Sequence, residues 1–523
     1  MSTTLRRSSS LALLLPLAAV ACGSYRDAAK APFASAAYPP PRMEAPIAQA
    51  APEPTGTERF DDYGVNPFVD ANTDRLSTFS IDVDTASYSF ARRKLLREST
   101  LPPFASVRAE EFLNSFDYGY ASPAAHERVP FKVHFAASPS PFAPGHHLLR
   151  IGVQAKRISA EERQPVHLVY LVDTSGSMSA PDRLPLAKKS LALLTDTLKP
   201  GDTVALCTYA GSTRVVLEPT GIDQKAKILA GIARLDAGGG TAMASGVQLA
   251  YDLASKTLVK GHLNRVVVLS DGDANIGSSN HEQLLQTIAQ HKDKGITLST
   301  VGFGSGNYKD TMMEQLADKG DGNYTYIDGE DEARKVFTEQ VDGLLQVVAR
   351  DVKIQVELDP NVIARYRLVG YENRDIADKD FRNDKVDAGE VGAGHSVTAL
   401  YDVELAGGSK ALRTSPLVVR MRHKPAKNAL HGGSDEAIES RFPMPASAMS
   451  SSFAQAPESF RLAVAVGAFA EILRKSPHAA EWRLEDVERI AASTSQGRKD
   501  RTELVLLMQT ASKLSGRSVA IAR

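Results

Sequence analysis

Three oxygen-bearing side chains stand at alternate positions in Asp173-Thr174-Ser175-Gly176-Ser177. On a tight turn, such positions can aim one carboxylate and two hydroxyls at a single focus, and Gly176 lets the backbone turn sharply. Carboxylate and hydroxyl oxygens are hard ligands, suited to Mg²⁺, Mn²⁺ or Ca²⁺ and poor for Zn²⁺. Two further loops carry matching chemistry. Gly238-Gly239-Gly240-Thr241 allows close backbone approach and adds a hydroxyl, and Ser270-Asp271-Gly272-Asp273 adds a second carboxylate at Asp271. The first run alone is a weak signal, because so short a pattern recurs by chance; three loops in order make it strong. The bland alternative has these residues capping helices and filling turns, a role open to Ser175 in particular.

The surrounding pattern positions these loops. Residues 166–172 form a continuous apolar run, as expected of a strand buried on both faces of a parallel sheet. Further strands are predicted at 203–209, 213–217, 264–270, 296–302 and 323–327. Helices are predicted at 181–199, 223–235, 242–257, 280–293 and 309–318, with a closing one at 330–348. Ala187, Leu191, Leu194 and Leu198 share one helical face. The alternation predicts an α/β fold with a doubly wound, mostly parallel six-stranded sheet. The strand at 213–217 follows its predecessor after a short turn and is expected as an antiparallel edge. Asp173 and Asp271 both fall at carboxyl ends of strands, where open α/β sheets bind ligands. A strand order placing the first and fourth strands side by side would bring the two together.

These loops resemble the metal-ion-dependent adhesion site of von Willebrand factor type A domains, a D-x-S-x-S turn with a separate Thr and a separate Asp. The resemblance implies a Rossmann-like sheet with Asp173, Ser175, Ser177, Thr241 and Asp271 around one ion, most simply Mg²⁺. It implies hydroxyl coordination by Ser175, Ser177 and Thr241, with the two carboxylates binding directly or through water. One position would stay open for an acidic group of a partner protein. The flanks extend the likeness: 79–89 (FSIDVDTASYS) and 107–118 (VRAEEFLNSFDY) look like the domain preceding the A domain in YfbK-like bacterial proteins. Residues 368–374 (LVGYENR) and 383–396 (NDKVDAGEVGAGHS) look like their C-terminal domain. The likeness covers nearly all of residues 58–520. It adds architecture and little mechanism.

The remaining organisation follows from composition and periodicity. Arg6 and Arg7 precede an apolar stretch at 11–21, which has the form of a secretory leader. It is shorter than the roughly 20 residues a permanent span requires. Ala19-Val20-Ala21-Cys22 looks like a bacterial lipobox, with Ala19 where Leu is preferred, and implies lipidation at Cys22. An ordinary cleavage after Ala21, leaving a free thiol, stays open. Gly23, rather than Asp, points to the outer membrane if the envelope is Gram-negative. The expected parts are a leader at 1–22, an Ala/Pro-rich disordered tether at 23–57, a domain preceding the A domain at 58–160, the A domain at 161–348, and a C-terminal domain at 349–523. In the first flank, strands are expected at 76–83, 129–136 and 147–155, and helices at 86–97 and 107–116. In the second, strands at 352–358, 366–370, 396–405 and 416–421 form a β-rich layer, followed by helices at 458–475, 484–492 and 503–514.

A net charge of −1 over 523 residues provides no global basic field, which argues against nucleic acid as a partner. The two cysteines, Cys22 and Cys207, make no disulfide framework, and Cys207 lies in an apolar run as a small buried hydrophobe. Asp82 and Asp84 are read as flanking a helix start capped by Asp84 or Thr85, with a second metal site as the sharper alternative. Gly302-Phe303-Gly304 fails the dinucleotide spacing and is read as a loop near the metal face. His395 is assigned to turn packing, and Asp328, Glu330, Asp331 and Glu332 to the dipole of the following helix. No H-E-x-x-H or G-x-S-x-G motif occurs. The leading expectation is therefore a non-enzymatic, metal-dependent binding module facing the periplasm. A scaffold with a stabilising metal and a metal hydrolase are the alternatives.

Overall fold

The apolar runs assemble as the central sheet of the computed structural model. It describes residues 60–124, 126–159, 162–259, 261–272, 278–305, 310–386, 388–407, 415–426 and 435–521. The leader, Cys22 and the tether lie outside the described residues. The sheet has six strands in the order Tyr324–Ile327, Ile296–Phe303, Leu263–Ser270, Val166–Asp173, Thr203–Tyr209, Thr213–Gly221. All neighbours are parallel except the last pair, so the edge strand is antiparallel as the short Ala210-Gly211-Ser212 turn requires. Every residue of Val166–Asp173 is buried. One face of the sheet packs on Leu184–Asp196 through Ala187, Leu191 and Leu194, and Met243–Lys256 covers the other through Val247, Ala250 and Tyr251. The Cys207 thiol is buried, and burial pushes it up to about 12, out of reach of ordinary thiolate chemistry.

Two predicted helices differ in extent. The first begins at Leu184 rather than 181: Gly176–Ser179 forms a short 3₁₀ turn, and Pro185, which lacks an N–H, suits the first turn of the true helix. The closing segment is not one helix to residue 348. It runs as Glu330–Arg334, a π-helical Lys335–Glu339 in which the Gln340 N–H donates to the Lys335 carbonyl, and Val341–Leu345. From Val347 the chain is a strand, because β-branched Val347 and Val348 enter a sheet instead of continuing the helix.

The two flanks share their sheets. One sheet is antiparallel throughout, ordered Val69–Asp70, Ile363–Val369, Ser396–Leu405, His146–Ala155, Phe131–Pro139. In the other, Val347–Leu358 pairs with Leu76–Ser80 and Val391–Gly392 along one side and with Leu417–Pro425 along the other, and Ile438–Pro443 lies beyond. Strands from before and after the A domain thus pair with one another in both sheets, and one core (Phe79, Ile151, Val356, Tyr401, Val419) joins them. The helices Ala109–Asn114, Glu458–Leu473, Leu484–Ser493 and Lys499–Ile521 cover the first sheet's outer face around Phe112, Leu400, Phe460 and Phe469. Ala86–Leu96 lies between layers, with Phe90 against the A-domain sheet and Tyr88 in the helical layer.

The acidic pair at 82 and 84 has a different role from either sequence reading. Thr85 occupies the N-cap position without a side-chain cap bond. The Asp82 carboxylate accepts the Asp84 N–H, and Asp84 accepts the Tyr324 N–H. Arg374 lies 3.4 Å from both carboxylates and reaches Glu314 at 2.8 Å and Asp318 at 3.0 Å on the A domain. The pair therefore binds a guanidinium that ties both flanks to the A domain.

His395 is packed, as expected of a turn residue: a side chain at Gly343 would fall 2.1 Å from its Nε2. Burial, with the Arg265 charge adding, pulls the imidazole down to about 4, against an ordinary value near 6.5. Folding thus favours the neutral ring. The stability is fully present above pH 6.5 and is lost as pH falls through about 4. The shift corresponds to about 3 kcal/mol. Urea denaturation at pH 7 and pH 4 should therefore show a smaller acid loss for His395→Gln than for the wild type; equal losses would sink this assignment.

Candidate metal centre

Asp173 closes its strand fully buried and is held on both oxygens. Oδ1 accepts the Ser175 N–H at 2.9 Å, and Oδ2 accepts the Ser270 hydroxyl at 2.9 Å. The 3₁₀ turn then brings the Ser175 and Ser177 hydroxyls to 2.9 Å from each other. Ser175 is buried and Ser177 half-buried. Parallel pairing of Val166–Asp173 with Leu263–Ser270 sets Val172 opposite Leu269, so Asp173 ends one strand and Asp271 directly follows the end of its neighbour. Asp271 is buried as well.

The glycine loop is fastened to the same turn by backbone bonds. The Gly238 N–H donates to the Thr174 carbonyl at 2.8 Å, and the Gly176 N–H donates to the Gly239 carbonyl at 3.0 Å. Gly239 has φ +91°, and a Cβ there would press on the Gly211 nitrogen at 3.3 Å. These two facts explain the glycines. Thr241 follows on this loop and is exposed. Direct contacts therefore join Asp173, Ser175 and Ser177, the sheet brings Asp271 beside them, and Thr241 is placed by its loop alone.

The electrostatics favour a cation. Burial pushes the Asp173 carboxyl above its usual range, and the Asp271 charge adds to this, against the bonds from Ser175 and Ser270. Burial and the Asp173 charge also hold the Tyr209 hydroxyl well above its usual value. Two carboxylates and two hydroxyls at one buried edge match the hard-oxygen preference of Mg²⁺, Mn²⁺ or Ca²⁺. The residues present fit such an ion.

Sequence spacing gave no sign of two groups that shape this edge. Ser270 holds Asp173 in place. Arg183 donates to the Asp271 carboxylate at 2.8 Å, to the Ser177 carbonyl at 2.7 Å and to the Ser305 carbonyl at 2.5 Å. Gly304, in the loop after Ile296–Phe303, lies under the Arg183 side chain, so that loop sits beside the edge that carries Asp271.

Comparison with known proteins agrees with the flanks and the sheet. Residues 168–274 match the von Willebrand factor type A domain, 54–150 match a family described as von Willebrand factor, and 343–514 match "Uncharacterized protein YfbK, C-terminal". The chain is 40% identical to uncharacterized protein YfbK of Escherichia coli over 67% of its own length and 62% of that protein's. It is 31% identical to an uncharacterized Synechocystis protein over 40% of its length and 49% of that protein's. The chain thus spans less than two thirds of either relative. Among solved structures, a von Willebrand factor type A protein from Catenulispora acidiphila aligns over 74% of this chain and 91% of its own at TM-score 0.42 and 16% identity.

The glycine loop is the most exposed support of the site to substitution. Gly239→Ala forces a side chain into φ +91° at a cost of about 1–3 kcal/mol. It should lower the thermal midpoint and weaken Mn²⁺ binding severalfold by calorimetry. Unchanged Mn²⁺ affinity would show that the loop does not serve the site.

Proposed function

The chain belongs to the von Willebrand factor type A proteins of YfbK type, and on that premise we propose that it is a metal-dependent protein-binding module held at the bacterial cell envelope. A von Willebrand factor type A domain is commonly a protein-interaction module, and proteins of this kind are generally not enzymes. The observation that carries the reading is the convergence of Asp173, Ser175 and Ser177 on one turn, with Asp271 directly after the end of the adjacent strand. Thr241 completes the set on its docked loop. A divalent ion there, most simply Mg²⁺, supplies a Lewis-acidic position for an anionic oxygen. The chain's own groups orient that position: Ser270 fixes Asp173, and the carbonyl–amide pairs to Gly238 and Gly239 fix the turn. The partner class is a protein that presents a carboxylate.

A purified full-length chain should bind Mg²⁺ by calorimetry, and Asp173→Ala should abolish binding while leaving the circular dichroism spectrum intact. Crosslinked capture from membranes should depend on Mg²⁺ and fail with Asp173→Ala. Capture that persists in EDTA would refute metal dependence.

A scaffold reading has one observation in its favour, the tying of the A domain to both flanks by Arg374. Thermal stabilisation by Mg²⁺ without any metal-dependent capture would favour it.

Envelope attachment rests on the residues around Cys22, with 23–57 as the spacer. Among the described residues no helix is long and apolar enough to cross a membrane. Mass spectrometry of the mature N-terminus should show a diacylglyceryl group on Cys22, and Cys22→Ser should move the protein from the membrane fraction to the soluble one. An unmodified Cys22 after ordinary cleavage would exclude the anchor.

A further inference from the structure

Arg183 is a cation already built into the metal edge. Its side chain is 16% exposed and faces an Asp271 side chain that is 2% exposed. One of its nitrogens contacts both the Asp271 carboxylate and the Ser177 carbonyl, and a second contacts the Ser305 carbonyl. The loop beneath it is fixed from its other side, because Arg93 donates to the Gly304 carbonyl at 2.7 Å and the Tyr326 hydroxyl donates to the same carbonyl at 2.5 Å. A Cβ at Gly304 would lie 2.5 Å from the Arg183 Cγ and Nε, so the arginine lies across a glycine that must stay bare. The side chain is thus held in position from three loops.

We propose that Arg183 is an internal counter-cation of the metal centre, which offsets the Asp271 charge before a divalent ion arrives and lowers the affinity of the site for that ion. This rests on the metal reading above. The physical argument is one of charge. Two carboxylates crowded at a buried edge repel each other, and a positive group in contact with one of them relieves the repulsion. The same positive group then repels any further cation placed beside that carboxylate, and in a partly buried site this repulsion is screened less than in water. Arg183 acts by its charge from beside Asp271, contributes no ligand, and is a positioning residue.

The test uses the full-length chain and Mn²⁺, read by calorimetry and by the electron paramagnetic resonance of the bound ion. Arg183→Gln keeps an amide donor and removes the charge; it should bind Mn²⁺ at least fivefold more tightly, and its metal-free thermal midpoint should fall because the guanidinium contact to Asp271 is lost. Arg183→Lys keeps the charge and should stay within about twofold of wild type. A purely structural arginine predicts the opposite order, with Arg183→Gln binding Mn²⁺ more weakly, and that result or an unchanged affinity overturns the proposal. Should Arg183→Gln not fold, the double variant Arg183→Gln/Asp271→Asn leaves neither charge unpaired. It should bind Mn²⁺ more tightly than Asp271→Asn alone, and equal or weaker binding again overturns it. Absence of Mn²⁺ binding in every variant, Arg183→Gln included, overturns the metal centre itself and the proposal with it.

Discussion

The pairing of Val347–Leu358 is the constraint on which the rest of the structure depends. This strand leaves the last helix of the A domain and immediately pairs with strands from both flanks: Leu76–Ser80 on one side and Leu417–Pro425 on the other. The entry into the A domain is fastened at the same place. The Ala155 N–H donates to the His395 carbonyl at 2.9 Å, and the Ala393 N–H donates to the Gln346 carbonyl at 2.8 Å. The Gln346 side chain in turn accepts the Gln164 N–H. Both chain crossings therefore meet at the turn around 392–395, at the amino end of the central strands. The carboxyl end, with Asp173 and Asp271, is left at the opposite end of the sheet from the crossings.

Ion pairs then fix how the layers sit against that sheet. Arg92 reaches Asp328 at 2.5 Å and Glu332 at 2.8 Å on the A domain, and Glu503 at 3.2 Å on the long C-terminal helix. Arg374 makes the corresponding junction on the other side, with carboxylates from the first flank and the A domain. Desolvation offsets most of the Coulomb gain of such pairs, so their net contribution to stability is small. Losing one partner leaves a buried charge exposed to the apolar interior, at about 3–5 kcal/mol. They specify the arrangement of layers more than they strengthen it.

This division explains what could be read along the chain. The six strands were legible because a doubly buried strand is a continuous apolar run, and the antiparallel edge because the turn at 210–212 is too short for a crossover. The turn at 173–177 was legible because its chemistry is contiguous. Pairings between strands some 280 residues apart leave no local trace, so the two flanks read as separate domains although Leu76–Ser80 and Val347–Leu358 share one sheet. Arg183, Arg92 and Arg374 were illegible for the same reason: an arginine's partner is set by tertiary packing. The overextended helix at 330–348 shows the other limit, since apolar periodicity does not mark where Val347 turns from helix to strand.

The edge that carries Asp173 and Asp271 is not independent of the flanks, even though it lies far from the crossings. The Gly304 carbonyl accepts from Arg93, on the helix Ala86–Leu96 of the first flank, and the next carbonyl accepts from Arg183, which also holds Asp271. Two successive carbonyls of this loop therefore carry a guanidinium each, one from the flank and one that also holds Asp271. Moving the helix Ala86–Leu96 would pull on Gly304, and the bare glycine leaves no slack against the Arg183 side chain resting on it. That helix is itself tied to Asp328, Glu332 and Glu503 through Arg92. The first flank thus fixes the loop at Gly304 and Ser305 and, through Arg183, the placement of Asp271 and of the turn at Ser177.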